Sequence, residues 1–274
     1  MLFLSFFQRK MIFILCIIFF MNVIPMKSQD FIYGPPIKAL KIIGGHEVFP
    51  HSLGYQVGIR IEEIEGYISF CGGSLITPSF VLTAAHCLES VYSLEVILGA
   101  HNISKKECTQ VSVTTRNYTI HPGWNSKKFI NDIALIRLPN PVKINGIVRT
   151  IRLPENDTVD YAGSEGMVSG WGMNKYSGPM SDILKYAKGI LMTNENCKHI
   201  PPFDLVIQKS HLCLSGKNIA SCEGDSGGPL VVNEVLVGVI SFTLNYCSTN
   251  FPSVSTRVSN YLEWIKNNSD LNDV

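Results

Sequence analysis

Residues 221–230 read SCEGDSGGPL, and this stretch decides the reading of the whole chain. A serine follows an aspartate, with one glycine before the pair and two glycines and a proline after it. Neither strands nor helices favour that composition. A nucleophilic serine, by contrast, needs an exposed Oγ and backbone N–H groups aimed at a developing oxyanion. Glycines allow the tight turn that aims them. The N–H groups of Gly224 and Ser226 are candidates for that hole. Taken alone, the segment reads equally well as a plain glycine-rich turn between strands.

Working outward, a serine nucleophile requires a base, and the base requires an orienter. VLTAAHC supplies His86, directly before Cys87, and NDIALIRL supplies Asp132 at the head of an alternating strand. Each residue alone has a bland reading, as a satisfied histidine or a turn aspartate. Three such segments in the order His, Asp, Ser make coincidence improbable.

The rest of the chain suits that chemistry. Its 274 residues fit one large domain or two small packed ones, and a net charge of +1 gives no electrostatic case for nucleic acid. Hydrophobic content of 46% against 16% charged indicates a well-buried core. The start, MLFLSFFQRKMIFILCIIFFMNVIPMKSQD, places Arg9 and Lys10 before an apolar run from Met11 to Met21. That is the layout of a secretory signal peptide over residues 1–28, and the run is short for a membrane anchor. Secretion favours disulfides over zinc for the eight cysteines, and no C-x-x-C pair occurs. Cys16 falls in the signal, so seven remain and at least one is left over. Asn102, Asn117, Asn156 and Asn267 head glycosylation sequons.

From Ile42 onward the chain reads as short strands between turns. YQVGIRI, FCGGSLI, SLEVILG, DIALIRL, GMVSGWG, LKYAKGILM and VLVGVISF are apolar or alternating runs punctuated by glycine, proline and asparagine. Only SNYLEWIKNN, with Tyr261, Trp264 and Ile265 on one face, reads as a helix. An all-β barrel or sandwich with a C-terminal helix follows.

The segments IIGG (42–45), TAAHC (83–87), NDIAL (131–135), GWG (170–172) and GDSGGP (224–229) together resemble the chymotrypsin-fold serine proteases of the trypsin-like superfamily. YQVGIRI further resembles the early strand of arthropod chymotrypsin-like and brachyurin-type enzymes. The resemblance implies two six-stranded antiparallel β-barrels with an active site between them. It implies His86 as general base and acid, Asp132 as orienter, Ser226 as nucleophile, and Gly224 and Ser226 as the oxyanion hole. A serine at the position of Ser241 bonds the buried aspartate in that family. The resemblance also implies a zymogen: a pro-segment over 29–41, cleavage after Lys41 by a protease that cuts after basic residues, and an Ile42 ammonium that pairs with Asp225. The peptidase domain is then 42–274. Disulfides Cys71–Cys87, Cys197–Cys213 and Cys222–Cys247 are implied in the same way. Cys108 is left unpaired, either buried and inert, which is preferred, or crosslinking chains.

By the same resemblance Ala220, six residues before Ser226, forms the floor of the specificity pocket. A neutral floor offers no counter-ion to arginine or lysine. Thr243 and Ser253 stand where glycines are usual and narrow the slot, which favours small or medium aliphatic residues; a wider pocket for Leu, Phe or Tyr stays open. Glu223 at the mouth biases against acidic residues or is a solvated carboxylate. Ala100 replaces an acidic ligand in the loop that binds calcium in some members, so no metal and no cofactor are expected. The expected function is a secreted, monomeric serine endopeptidase acting on proteins or peptides and held in check by serpins or other protease inhibitors, without nucleic-acid or membrane partners. A catalytically silent homologue acting as a binding protein is the alternative.

Overall fold

The computed structural model describes residues 44–244 and 247–271. The signal and pro-segment, with Cys16, Lys41 and Ile42, lie outside the described residues. Among the described residues there are fourteen strands: β1 (His46–Glu47), β2 (Gln56–Glu63), β3 (Ile68–Thr77), β4 (Phe80–Thr83), β5 (Val91–Leu98), β6 (Val111–Thr115), β7 (Tyr118–Ile120), β8 (Ala134–Arg137), β9 (Glu165–Gly170), β10 (Lys185–Met192), β11 (His211–Ser215), β12 (Pro229–Val232), β13 (Val235–Phe242) and β14 (Ser253–Arg257). Helix α1 spans Asn194–Lys198 and α2 spans Leu262–Asn267.

The alternation in β2 has a direct consequence. Val57, Ile59 and Ile61 are at most 1% exposed and point into one core, while β3 and β5 pair with either side of the strand. The first sheet runs β6-β5-β2-β3-β4-β8-β7. Its two edge strands are joined by Arg116 and Asn117 alone, so the chain itself draws the edges together and the sheet curls. The second sheet runs β1-β10-β11-β14-β13-β12-β9, and β9 pairs back onto β10. Six strands thus close into a barrel, and β1 is an added edge strand on β10. The all-β architecture with a C-terminal helix is the expected one. The strand count differs: the first half carries seven strands in a curled sheet without a closing pair among the described residues.

The terminal segment ties the halves together. Tyr261 and Ile265 are buried, with Trp264 half-buried beside them, and all three pack on the core of the first sheet. Helix α1 was not legible as a helix. Its Thr193 side chain accepts the Asn196 N–H at 3.1 Å and so caps a five-residue turn.

Among the described residues three disulfides are formed, Cys71–Cys87, Cys197–Cys213 and Cys222–Cys247, each with an S–S distance between 2.01 and 2.06 Å. Cys108 is free and exposed, not buried as preferred from sequence. It lies in the loop between β5 and β6, where neighbouring Lys105 and Lys106 keep the backbone at the surface.

Candidate active site

His86 opens a short 3-10 turn just after β4, and Asp132 lies two residues before β8, which pairs with β4. The strand pairing therefore brings the two residues together across 46 positions. His86 Nδ1 lies 2.8 Å from Asp132 Oδ2, and the His86 backbone N–H donates to Asp132 Oδ1 at 2.9 Å. Asp132 is fully buried, and the second half of the molecule supplies its remaining partners. Ser241 Oγ donates to Oδ2 at 2.5 Å, and Thr256 Oγ1 donates to the Asp132 carbonyl at 2.8 Å. Burial alone would lower the His86 pKa, but the hydrogen bond and charge of Asp132, with a contribution from Glu89, raise it above the usual histidine value. The imidazole can thus hold a proton that it takes up during a reaction. About a quarter of its side chain is open to solvent.

The glycines of the opening segment have specific reasons. Gly224 and Gly227 have φ of +90° and +78°, where side chains are strained. A Cβ on Gly227 would collide with Thr83 Oγ1, and one on Gly228 would stand 2.8 Å from the Asp225 carbonyl oxygen. The turn is pinned from the first sheet, because the Gly72 N–H donates to the Ser226 carbonyl at 2.7 Å. Ser226 stays half-exposed. Among the described residues the Gly224 and Ser226 N–H groups make no hydrogen bond, so both are available to an incoming oxygen.

Asp225 points the opposite way, into the protein. Its Oδ1 accepts the Gly172 N–H at 2.8 Å and its Oδ2 accepts the Cys222 N–H at 3.0 Å. The GWG stretch makes room for it, since a Cβ on Gly170 or Gly172 would collide with the carboxylate. Trp171 is buried between them and donates Nε1–H to the His101 carbonyl at 3.1 Å. Asp225 is completely buried, and burial pushes its pKa up to about 7 despite the two amide donors. Among the described residues no cation faces it.

Ser226 opens into a cleft of about 400 Å³ lined by Ser221, Glu223, Ser241, Phe242, Thr243 and Phe129, among others. Ala220, next to Ser221 in the chain, is 2% exposed and is not among the residues lining the cleft. Thr243 lines the cleft. The Ser253 Oγ accepts the Ser221 N–H at 3.0 Å. The Ser221 hydroxyl is buried and unpartnered among the described residues. Glu223 is exposed. The aromatic residues Phe129 and Phe242 escaped sequence reasoning; FINDIAL places Phe129 three residues before Asp132, which was the available signal.

His86 also puts a ring nitrogen within 4.8 Å of the Cys71 and Cys87 sulfurs. Those sulfurs are bonded to each other, so no thiolate remains to hold a metal there. In the loop beginning at Ala100, the Glu107 carboxylate is committed to the His101 N–H at 2.6 Å.

A buried aspartate on a histidine, a serine on a glycine turn beside free amides, and two β-units clasped around them define a serine endopeptidase of the chymotrypsin fold. The Trypsin family model matches residues 42–265, and the chain belongs to that family. It is 38% identical to a chymotrypsin of Phaedon cochleariae, over 85% of this chain and 83% of that protein. It is 37% identical to a brachyurin of Leptuca pugilator, over 82% of this chain and 97% of that protein. It is 38% identical to human granzyme B, over 86% of this chain and 94% of that protein.

Proposed function

We propose that the chain is a secreted endopeptidase precursor, activated by cleavage after Lys41, that cleaves proteins after non-basic residues through an acyl-enzyme. His86 takes the Ser226 Oγ proton as Oγ attacks the scissile carbonyl, Asp132 orients and stabilises the imidazolium, and the Gly224 and Ser226 N–H groups receive the oxyanion. His86 then passes the proton to the leaving amine. Water, activated by the same imidazole, releases the acyl group.

Asp225 supports the activation step. A buried carboxylate without a cation is costly, and the freed ammonium of Ile42 would supply one beside the oxyanion amides. The division into signal peptide (1–28), pro-segment (29–41) and peptidase (42–274) belongs to the same reading. The N-terminal charge and apolar pattern supports secretion, and no helix among the described residues is long and apolar enough to cross a membrane. Asn117, Asn156 and Asn267 are exposed and suit glycan attachment; Asn102 is half-buried, with its side chain turned onto Ser104. An activator cutting after lysine, serpin-type inhibitors and a monomeric state complete the picture.

The observation that carries the substrate preference is the neutral floor. Ala220 carries no charge, and Glu223, the one carboxylate lining the cleft among the described residues, is exposed. Small aliphatic and larger apolar side chains remain the two candidates. Cleavage of a peptide library varied at the scissile residue, by protein cut after Lys41, tests this with Ser226→Ala as control. Cleavage after Ala, Val or Leu gives the elastase-like form and cleavage after Phe or Tyr the chymotrypsin-like form. Cleavage confined to Lys and Arg would overturn the reading.

A further inference from the structure

The Cys71–Cys87 disulfide lies directly against the His86 ring. Cys87 follows His86 in the same 3-10 turn, and Cys71 stands within β3. One ligand atom from each of Cys71, His86 and Cys87 lies within 4.8 Å of the other two. Among the described residues this is the one group of three metal-ligating side chains gathered so closely. While the sulfurs are bonded to each other the group cannot hold an ion. Opening that bond changes its chemistry.

The distances suit zinc. Bonds of about 2.3 Å to sulfur and about 2.0–2.1 Å to nitrogen, at tetrahedral angles, put ligand atoms about 3.6 Å apart for N and S and about 3.8 Å apart for two sulfurs. His86 Nε2 already stands 3.7 Å from Cys87 Sγ. Once the bond opens, side-chain rotation lets the sulfurs part to their own spacing. The backbone keeps both cysteines near the ring without the crosslink, because Cys71 is paired with Ile59 on β2 and the His86 N–H is tied to Asp132. The imidazole is oriented as well. A carboxylate only accepts, so the 2.8 Å contact with Asp132 puts the hydrogen on Nδ1 and leaves the lone pair on Nε2. A carboxylate behind a histidine is the arrangement that fixes imidazole ligands on zinc.

We propose that reduction of Cys71–Cys87 creates a zinc site of two thiolates and His86 Nε2, with water in the fourth position, and that zinc bound there stops hydrolysis by occupying the lone pair the reaction needs. A phosphine reductant balances the first step: it takes up the oxygen of one water molecule as the disulfide becomes two thiols. Zinc then displaces both thiol protons to solvent. The site rests on this geometry alone, and its effect on hydrolysis rests on the protease reading.

The test uses cobalt(II) as a visible stand-in for zinc. The full chain carrying Ser226→Ala is reduced with the phosphine, and its fold is checked by near-ultraviolet circular dichroism. One cobalt per chain should bind, with a thiolate charge-transfer band and the visible bands of a tetrahedral ion, and zinc should displace it. Cys87→Ser should lose the tetrahedral bands. Asp132→Asn should weaken binding about 10–100-fold, and His86→Gln, which keeps both thiols, should weaken it further. In peptide hydrolysis by wild-type protein cut after Lys41, zinc should inhibit the reduced form and spare the disulfide-bonded form, and a chelator should restore the rate. A folded, reduced protein without the thiolate band, binding unchanged in His86→Gln, or unfolding on reduction with metal present would overturn the site. Equal zinc inhibition of both forms, or a reduced form as inactive without zinc as with it, would overturn its effect on hydrolysis. Absence of hydrolysis by the disulfide-bonded form would overturn the protease reading, and the cobalt result would still decide the site.

Discussion

Asp225 gives the uncut chain a pH-dependent weakness that cleavage after Lys41 should remove. Its carboxyl has a pKa of about 7 in the folded protein, against 3.8 ordinarily, because it is buried. A raised carboxyl pKa means that the folded state binds more protons than the unfolded state between those two values. Stability therefore falls as pH rises through that window and levels off above the folded pKa. Between pH 5 and pH 8 the linkage amounts to about 3 kcal/mol, or roughly 5–10 °C in the unfolding midpoint of a domain this size. Once Ile42 is freed and its ammonium pairs with Asp225, the carboxyl pKa drops and most of this loss disappears. His86 has a raised pKa as well, and its contribution is also lost as pH rises through its folded value, but equally in both forms. The difference between cut and uncut protein isolates Asp225. Calorimetry of the Ser226→Ala protein, which cannot digest itself, before and after cutting at Lys41, reads it directly. The same pH 5 to pH 8 shift in both forms would refute the ion pair.

Four further outcomes are expected. Ser226→Ala should lower kcat by at least about 10⁴-fold, and Asp132→Asn by about 10⁴-fold, in peptide hydrolysis by cut protein. Activity should rise with pH through a His86 pKa above the ordinary histidine value, because only the neutral imidazole accepts the Ser226 proton; a pH–rate profile for kcat/KM checks the direction. Ser241→Ala removes a donor to the buried Asp132 carboxylate and should cost about 1.5–3 kcal/mol in transition-state stabilisation, roughly 10–100-fold in kcat/KM. Replacing both Cys71 and Cys87 by Ala opens a link across 16 positions and should lower stability by about 3 kcal/mol in denaturant unfolding.

The parts of the site carried by contiguous segments were legible in the sequence. TAAHC, NDIAL and GDSGGP each fix a local backbone whose purpose follows from chemistry, and the strand-rich pattern with a terminal helix follows from alternation and punctuation. What the sequence withheld depends on contacts between distant residues. His211 and Phe129 are 82 positions apart, and nothing in SHLCLS announces that the ring bonds a carbonyl in the other half. Ser253 was expected to narrow the pocket because its side chain is larger than glycine. Its Oγ accepts the Ser221 N–H, a contact across 32 positions that the sequence does not announce. Cys108 was expected to be buried from the habits of its residue type, whereas its place in a lysine-bearing surface loop decides its exposure.

The central claim is that Ser226 is the nucleophile, and trapping its acyl-enzyme tests it most directly. Protein cut after Lys41 is mixed with an activated ester of an apolar amino acid, quenched in acid and analysed by peptide mass spectrometry. The account predicts one acyl group, on the peptide that contains Ser226, and none with Ser226→Ala or with uncut protein. Folded, correctly cut protein that shows no adduct, or an adduct on another side chain, would contradict it.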